Sequence, residues 1–112
     1  MNRKKYAQEC TNNIVKNAMN DMQCELAYGG QYVTAHPLYK CNARVHEFGD
    51  LYVLESYSTE TAVYNRQTHA LYDGLRYVYG YTSTSTQHYS KFKQWLKERG
   101  YEIAVEFRYY DI

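Results

Sequence analysis

The amino-acid sequence predicts an α+β domain in which helices pack on an antiparallel sheet. Apolar residues recur at helical spacing near the N-terminus and again over residues 85–99. Between and after these segments lie short stretches of strand-forming residues, bounded by glycine, asparagine and aspartate. With 112 residues the chain fits one domain, spanning 1–112, with a single hydrophobic core.

The first predicted helix covers residues 4–23. Its apolar positions follow a strict i, i+4 spacing, which places them along one face of an amphipathic helix. Three further apolar residues widen this stripe. The positions are Tyr6, Cys10, Ile14, Ala18 and Met22, widened by Ala7, Val15 and Met19.

The segment 28–42 is predicted to be a loop. It contains the glycine pair Gly29–Gly30 and the only proline, Pro37, and both residue types favour turns and irregular backbone. A short extended piece is expected at residues 32–33.

Four or five short antiparallel strands are predicted next, arranged as a meander. Gly49–Asp50 is a hairpin-turn dipeptide, and residues 66–69 have the polar composition of a second turn. Asp73–Gly74 is typical of a type I′ turn and predicts that the chain continues into another strand. The predicted strands cover 43–48, 51–57, 61–65, 70–72 and 76–81.

A second helix is predicted over residues 85–99. Thr84 and Gln87 have the spacing of a capping box, and Ser85 is an alternative N-cap. Gly100 follows as a C-terminal stop signal. The apolar stripe of this helix comprises His88, Phe92, Trp95 and Leu96.

The C-terminal segment 101–110 alternates between apolar and polar residues, which predicts a strand that rejoins the sheet. We expect the two helices to cover one face of the sheet, with tyrosines on the other face or at an edge. The residues expected on the apolar side of this strand are Tyr101, Ile103, Val105, Phe107 and Tyr109.

Charge and cysteine content restrict the functional classes. The formal net charge is +1, so the chain as a whole is neither strongly basic, like many nucleic-acid-binding proteins, nor an acidic mimic of DNA. Cys10 and Cys24 lie about 21 Å apart if they share one helix, too far for a disulfide. The sequence predicts reduced thiols and a cytoplasmic protein. No apolar run has the length of a membrane span, and no signal peptide is recognisable.

The segment YGYTSTSTQHYSKF, residues 79–92, is rich in hydroxyl groups. A phosphate cradle would need more glycines and a lysine near the start of the helix. A Ser85–His88 catalytic pair would need a strained nucleophile elbow and an acid to orient the imidazole. We therefore interpret this segment as a junction between strand, cap and helix, with His88 turned inward to bond a nearby strand. We predict no catalytic residue and no enzymatic activity.

Three potential zinc ligands are separated by five positions each, at His36, Cys41 and His46. A closed zinc site normally takes four ligands from tightly spaced pairs, and His69 or Cys24 would have to complete this one. We predict no metal and no cofactor.

Tyrosine is unusually frequent, at 15 of 112 residues. Tyrosines near a basic helix face suit two kinds of contact. They can stack on bases while lysines hold phosphates, or they can anchor a protein interface together with arginine. The predicted partner-binding residues are Tyr77, Tyr79, Tyr81, Lys91, Lys93, Lys97 and Arg99.

Two segments resemble a small domain of unknown function found in phage, prophage and plasmid proteins. SYSTETAVY, residues 56–64, and YTSTSTQHYSKF, residues 81–92, are similar to its pattern SYxTxxA followed by YSxTTxxHxxxF. Thr82 and Ser85 depart from the usual residue types but keep the hydroxyl group. The matching positions are Ser56, Tyr57, Thr59, Ala62, Tyr81, Thr84, Ser85, His88 and Phe92.

The resemblance implies a mobile-element context rather than a particular activity. Small phage-borne domains are often anti-defence factors, anti-CRISPR proteins among them, which cover a partner's surface. The expectation is a non-enzymatic protein in the cytoplasm of a bacterial host cell that binds and inhibits a host protein or nucleoprotein, such as a CRISPR effector. The alternative is a small nucleic-acid-binding protein that uses the basic helix face and Tyr77, Tyr79 and Tyr81. Homo-oligomerisation is left open.

Overall fold

The computed structural model describes residues 3–28, 32, 34–78 and 83–110. Within these ranges the chain forms three helices and a six-stranded sheet. The helices are α1 (Arg3–Ala27), α2 (Leu75–Val78) and α3 (Ser83–Glu98). The strands are β1 (Thr34–Pro37), β2 (Ala43–Phe48), β3 (Leu51–Ser56), β4 (Thr59–Asn65), β5 (Ala70–Asp73) and β6 (Val105–Arg108).

The strands lie side by side in sequence order from β1 to β6. Neighbouring strands are antiparallel from β1 to β5, and β6 pairs parallel with β5. The parallel pair follows from the path of the chain, because a crossover through α2 and α3 separates β5 from β6. The predicted α+β class is confirmed, including the return of the C-terminal strand to the sheet.

Helices α1 and α3 pack on opposite faces of the sheet, so the expectation that both cover one face is wrong. Val15 and Met19 of α1 pack in one cluster with Val53. Phe92 of α3 packs in a second cluster with Leu54. Because side chains alternate between the faces along a strand, β3 supplies apolar residues to both helices. Its nearly continuous apolar sequence is typical of strands that are buried on both sides.

Helix α1 buries part of the predicted stripe: Val15, Met19 and Met22 lie in the core as predicted, whereas the N-terminal positions of the stripe do not. An α-helix has 3.6 residues per turn, so apolar residues spaced alternately three and four positions apart stay on one face. Apolar residues that are always four positions apart move around the helix by about 40° at each repeat. The strict i, i+4 stripe therefore winds away from the sheet and leaves Tyr6 and Ile14 exposed, at 58% and 42%. The buried positions are Asn12, Val15, Met19 and Met22.

The segment predicted to be a loop contains edge strand β1. Of the residues expected to be extended, Tyr32 lies outside any strand and residue 33 falls outside the described ranges. The Leu38 N–H donates to the Ala43 carbonyl at 3.1 Å, so the preceding Pro37 directs its nitrogen away from β2. An outer edge is where a sheet tolerates a residue without an N–H.

Two of the three predicted turns between strands are confirmed, those at residues 49–50 and 66–69. Gly49 joins β2 to β3 in a left-handed conformation at φ +55°, which glycine adopts without steric cost. The turn at 66–69 is held by Asn65, whose Oδ1 accepts the backbone N–H groups of Gln67 at 2.8 Å and Thr68 at 3.1 Å. Such local acceptor geometry is the usual reason for asparagine in turns.

Asp73–Gly74 does not form the predicted turn between strands. The Asp73 Oδ1 accepts the Leu75 N–H at 3.2 Å, and the chain enters α2 instead. An aspartate that caps a helix start satisfies an N–H that has no partner within the helix. The predicted strand over 76–81 is therefore wrong for residues 76–78, while 79–81 lie outside the described ranges.

Helix α3 confirms the second predicted helix and its C-terminal stop. Gly100 has φ +84°, and its N–H donates to the Lys97 carbonyl at 3.0 Å. The Tyr101 N–H donates to the Leu96 carbonyl at 2.9 Å. These two bonds form the Schellman motif that glycine favours at this position.

The start of α3 differs from the prediction. The helix begins at Ser83, so Thr84, Ser85 and Gln87 lie within it rather than around a cap at residue 84 or 85. Their predicted capping role is wrong. Ser85 is instead fully buried against the sheet, while Thr84 and Gln87 are exposed. Phe92, at 0% exposure, lies in the core as predicted.

Strand β6 is shorter than the predicted strand, and the apolar residues around it do not share one face. Tyr101 and Ile103 precede the strand and pack with the cluster on the α3 side. Phe107 and Tyr109 pack on the α1 side, and Val105 is 41% exposed. Residues 101–104 are outside the sheet, so strand alternation does not constrain their side chains.

Candidate functional site

The parallel strand pair brings charged residues to one end of the sheet. Strand β5 ends at Asp73 and β6 ends at Arg108, and these two residues are register partners. Parallel strands have their carboxyl ends on the same side, and this is where ligands bind in many sheets with crossover helices. The start of α3 and the residues after β6 surround the same place.

A cavity of about 330 Å³ opens at these strand ends. This volume is within the range of small-molecule sites, about 300–1,000 Å³. We call it the strand-end pocket. It is lined by Asp73, Leu75, Arg76, Thr86, Tyr89, Ser90, Arg108, Tyr109 and Tyr110.

Glu106 is the centre of an ionic network beside the pocket. Its Oε1 lies 3.1 Å from Lys93 Nζ, and its Oε2 lies 3.4 Å from Arg108 Nε. The Tyr89 hydroxyl also donates to Oε2. One carboxylate thus serves two cations and a phenol, which ties β6 to the middle of α3.

The pKa values of Glu106, Tyr89 and the nearby Asp73 all differ from their ordinary values. Burial alone would raise the pKa of Glu106, but hydrogen bonds from Tyr89 and Lys93 and the nearby positive charges outweigh it and lower the pKa. Burial raises the pKa of Tyr89, and the bond to Glu106 adds to the rise. Burial likewise raises the pKa of Asp73, against the opposing effects of the Leu75 N–H and Arg108. Tyr89 is therefore neutral and Glu106 is ionised near neutral pH.

A second concavity lies next to the pocket along α3, and the two share Ser90 and Arg108. We call it the α3 groove. Its lining includes Lys93 and Lys97, two of the predicted partner-binding residues. It is formed by Ser90, Lys93, Gln94, Lys97, Glu98 and Arg108.

The other predicted partner-binding cations lie elsewhere. Arg99 follows the helix and places its guanidinium 4.2 Å from the centroid of the Trp95 ring. It lines a different concavity, with Pro37 and Tyr39. Lys91 lies on the His88 side of α3, where its charge contributes to a lowered His88 pKa. The four cations are thus divided among three parts of the surface.

Of the predicted contact tyrosines, Tyr77 lies in the described part of the chain, and Tyr79 and Tyr81 lie outside it. The Tyr77 hydroxyl donates to Asn20 Oδ1 at 3.1 Å. Its ring lies 5.2 Å from that of Tyr109, a residue of the strand-end pocket. Tyr77 therefore connects α1 to the wall of the pocket and is only partly available for a partner.

His88 turns inward and bonds a strand, as predicted. Its Nδ1 lies 2.8 Å from Ser56 Oγ, which also lies 3.0 Å from Ser85 Oγ. These three residues are 3% exposed or less, so substrate cannot reach them in this conformation. The Tyr57 ring lies 5.4 Å from the His88 ring at the surface side. The arrangement suits structural docking of α3 on β3 better than nucleophilic catalysis.

The three potential zinc ligands, His36, Cys41 and His46, do not come together in one site. His46 stacks on Tyr32 at 4.0 Å on the α1 side, whereas His36 lies 5.5 Å from Trp95 on the α3 side. Cys41 donates its thiol to the Leu38 carbonyl at 2.8 Å. Among the residues that the structure describes, no group of three or more His, Cys, Asp or Glu side chains is placed to hold a metal ion.

Sequence reasoning missed the residues that form the strand-end pocket. Asp73 had the signature of a hairpin turn, and Glu106 and Arg108 had that of a solvated strand face. The alternation of β6 was the available signal, because Glu106 on its polar side contacts Tyr89 and Lys93 of α3 instead of open solvent. Asp73 and Arg108 meet only through parallel pairing, which no local pattern predicts.

Within the described ranges, no helix combines the length and the apolar character needed to cross a membrane.

No protein-family model, curated protein or solved structure matches the chain.

Proposed function

We propose that this protein is a non-enzymatic, cytoplasmic binding protein of a phage or mobile element, which inhibits a host protein or nucleoprotein by covering an acidic surface. The α3 groove is the contact surface in this proposal. The observation that carries it is the gathering of Lys93, Lys97 and Arg108 along one groove. The two-segment resemblance supports the mobile-element origin, and within that context we propose a CRISPR effector as the partner.

The charge of the α3 groove supports an acidic partner. Lys93 and Arg108 share one carboxylate, that of Glu106. The other carboxylate, Glu98, accepts hydrogen bonds from Gln94 Nε2 at 2.9 Å and Tyr39 Oη at 2.7 Å, which are neutral donors. The groove thus carries more positive than negative charge, although the chain is nearly neutral. Charge complementarity of this kind mainly increases association rate and specificity.

The exposed aromatic residues support a protein interface. Tyr110 is 41% exposed beside the pocket, and Arg108 lies between the pocket and the groove. Tyrosine and arginine are enriched among the residues that carry most of the binding energy at interfaces. Tyrosine contributes large contact area at a low cost in side-chain entropy.

A binding role also fits the buried Ser56–His88 pair. A serine nucleophile must be reached by substrate, and a histidine base needs a third group to orient it. Here Ser56 is 0% exposed and a second serine takes the remaining contact. The pair therefore supports packing rather than turnover.

Direct nucleic-acid binding through the same groove is the second candidate. Lys93, Lys97 and Arg108 are suited to contact phosphates, and the exposed Tyr110 lines the neighbouring strand-end pocket together with Arg108. Tyr77 supports this candidate less, because its hydroxyl and ring are engaged within the protein. Binding to phosphates would weaken steeply with salt, whereas a protein partner held by aromatic contacts would respond less.

The proposal is tested by producing the protein in bacteria with an active CRISPR system and measuring the plating efficiency of a targeted phage. The expected result is restored plating with the wild-type chain and loss of this effect with Lys97→Glu. Lys16→Glu is the matched control, because it reverses an exposed charge on α1, away from the groove. Unchanged plating with the wild-type protein contradicts CRISPR inhibition. Equal effects of the two variants contradict the proposal that the α3 groove is the contact surface.

A salt titration separates the two candidates. Purified protein is mixed with labelled single- and double-stranded oligonucleotides at low and physiological ionic strength. Absence of binding at both supports the protein partner. The nucleic-acid candidate is favoured instead if binding depends on salt, is weakened by Lys97→Glu and is unchanged by Lys16→Glu.

A further inference from the structure

The two outer edges of the sheet differ in how they are protected against pairing with a further strand. On β1, Pro37 has no N–H and directs its nitrogen outward, and proline discourages pairing at an edge. On β6, the Asn12 side chain bonds to both the N–H and the carbonyl of Tyr110. Asn12 thus covers the edge at Tyr110. Among the described residues, no strand pairs with the outer side of Val105–Arg108.

The outer edge of β6 presents the backbone groups of Glu106 and Arg108. The Tyr109 N–H donates to the Asp73 carbonyl at 3.1 Å, so residue 109 faces β5. Successive residues of a strand direct their backbone groups to alternate sides, and the other odd-numbered residues of β6 therefore also face β5. Glu106 and Arg108 direct their N–H and C=O groups outward, where they form a template for another strand.

The charges on this edge select one register for pairing with a second copy of the chain. Antiparallel two-fold pairing centred on Phe107 places Glu106 of each copy opposite Arg108 of the other. Both residues face outward, so each such pair exchanges two backbone hydrogen bonds. Pairing centred on Glu106 or on Arg108 would instead place like charges directly opposite each other, which is destabilising. The Arg108 side chain is 58% exposed, and its guanidinium has further N–H groups beyond the contact with its own Glu106.

The opposite side of β6 suits the same register. Phe107 meets Phe107 of the second copy, and Val105 meets Tyr109 of the second copy. In the single chain Val105 is 41% exposed, and the half-buried Phe107 ring stacks on Tyr72 with centroids 5.4 Å apart. Pairs of two aromatic residues, or of an aromatic and a β-branched residue, stabilise antiparallel strands. This register therefore covers an exposed valine.

We propose that the protein forms a symmetric dimer through antiparallel pairing of its two β6 strands, which joins two six-stranded sheets into one. The interface is isologous, because the same residues contribute from both copies. The dimer does not depend on the proposed inhibitory function. Val105 lies outside the α3 groove, and Lys97 lies on α3 rather than on β6. Val105→Lys therefore tests the strand pairing, whereas Lys97→Glu tests the groove.

Sedimentation velocity of the full chain between about 1 μM and 1 mM tests the dimer. We expect a reversible monomer–dimer equilibrium. Val105→Lys should weaken it about tenfold, because the contact between Val105 and Tyr109 is lost twice in a symmetric dimer. Ile14→Lys is the matched control, since Ile14 has nearly the same exposure, 42%, but lies on α1. This variant should keep the wild-type equilibrium.

Proline substitutions identify the edge that pairs. Arg108→Pro removes an outward N–H and leaves the bonds between β5 and β6 in place, so it should give a folded monomer. Ala35→Pro, at an outward-facing position of β1, is its control and should still dimerise. Urea denaturation establishes that both variants are folded.

A wild-type chain that stays monomeric over the whole concentration range would overturn the proposal. A dimer that Val105→Lys leaves intact and that Ile14→Lys or Ala35→Pro dissociates would overturn it as well, because the contact would then lie on α1 or on β1.

Discussion

Ser56 Oγ lies 2.8 Å from Nδ1 of His88, and this contact joins β3 to α3 across the sheet surface. Ser85 Oγ completes the buried cluster at 3.0 Å, and Tyr57, in a left-handed conformation at φ +59°, flanks it at the surface. The two segments that resemble the phage domain, 56–64 and 81–92, are separated by 16 residues in the sequence. Ser56 of the first segment nevertheless meets Ser85 and His88 of the second here. In this protein, Ser56, Ser85 and His88 therefore dock α3 on β3.

Ser56→Ala should destabilise the protein by about 1–3 kcal/mol, because it removes the buried hydroxyl group that contacts His88 Nδ1 and Ser85 Oγ. The free energy of unfolding from urea denaturation measures this change. Ser58→Ala is the control, since Ser58 is exposed in the following turn, and its effect should stay within about 0.5 kcal/mol. Equal effects of the two substitutions would mean that the cluster adds no stability.

Stability should fall as the pH drops below about 6.5 because of His88. Burial, and then the charge of Lys91, lower its pKa from the ordinary value of 6.5. The unfolded chain therefore binds a proton before the folded chain does, so the free energy of unfolding is full above that value and decreases below it. Comparing His88→Gln with the wild type between about pH 7.5 and 5 isolates this group from the other histidines. Parallel pH profiles for the two proteins would contradict the prediction.

Much of the fold was predictable because its signals are local. Gly49 and Asn65 mark turns through their own backbone preferences, and Gly100 ends α3 by adopting a left-handed conformation that glycine tolerates. His88 was predicted to face inward because it shares a helical stripe with Phe92. Each of these inferences depends on residues within a few positions of one another.

The candidate site was not predictable in the same way because it depends on non-local pairing. Asp73 and Arg108 become neighbours only when β6 pairs parallel with β5. The face of the sheet on which α1 packs is also set by non-local contacts. The nearly continuous apolar sequence of β3 was the one local sign that helices cover both faces. Lys93 and Lys97 were identified from helix chemistry alone, but their association with Arg108 was not.

Glu106→Gln should destabilise the protein by about 1–3 kcal/mol near neutral pH, because it removes the negative charge shared by Lys93 and Arg108. The lowered pKa of Glu106 means that its contribution is present above the unfolded value of about 4.3 and is lost as the pH falls through the folded value. The variant should therefore lose less stability on acidification than the wild type. Glu102→Gln, at an exposed position before β6, is the control and should keep the wild-type acid profile.

Gly74→Ala should cost about 1–3 kcal/mol through overpacking. A Cβ at this position would lie 2.8 Å from Cγ of Met19, which is 1% exposed and held between α1 and the sheet. Thermal or urea denaturation measures the loss. In a Met19→Ala background the added cost of Gly74→Ala should largely disappear, because the colliding atoms are gone. An unchanged cost in that background would assign the effect to the backbone instead.

Hydrogen exchange on the protein alone and in complex with the host's CRISPR effector tests the proposed contact surface most directly. We expect slower exchange within residues 90–98 and 105–108, which border the α3 groove, and unchanged exchange within residues 3–11 of α1. Protection confined to α1, or no protection along the groove in a complex that forms, would contradict it.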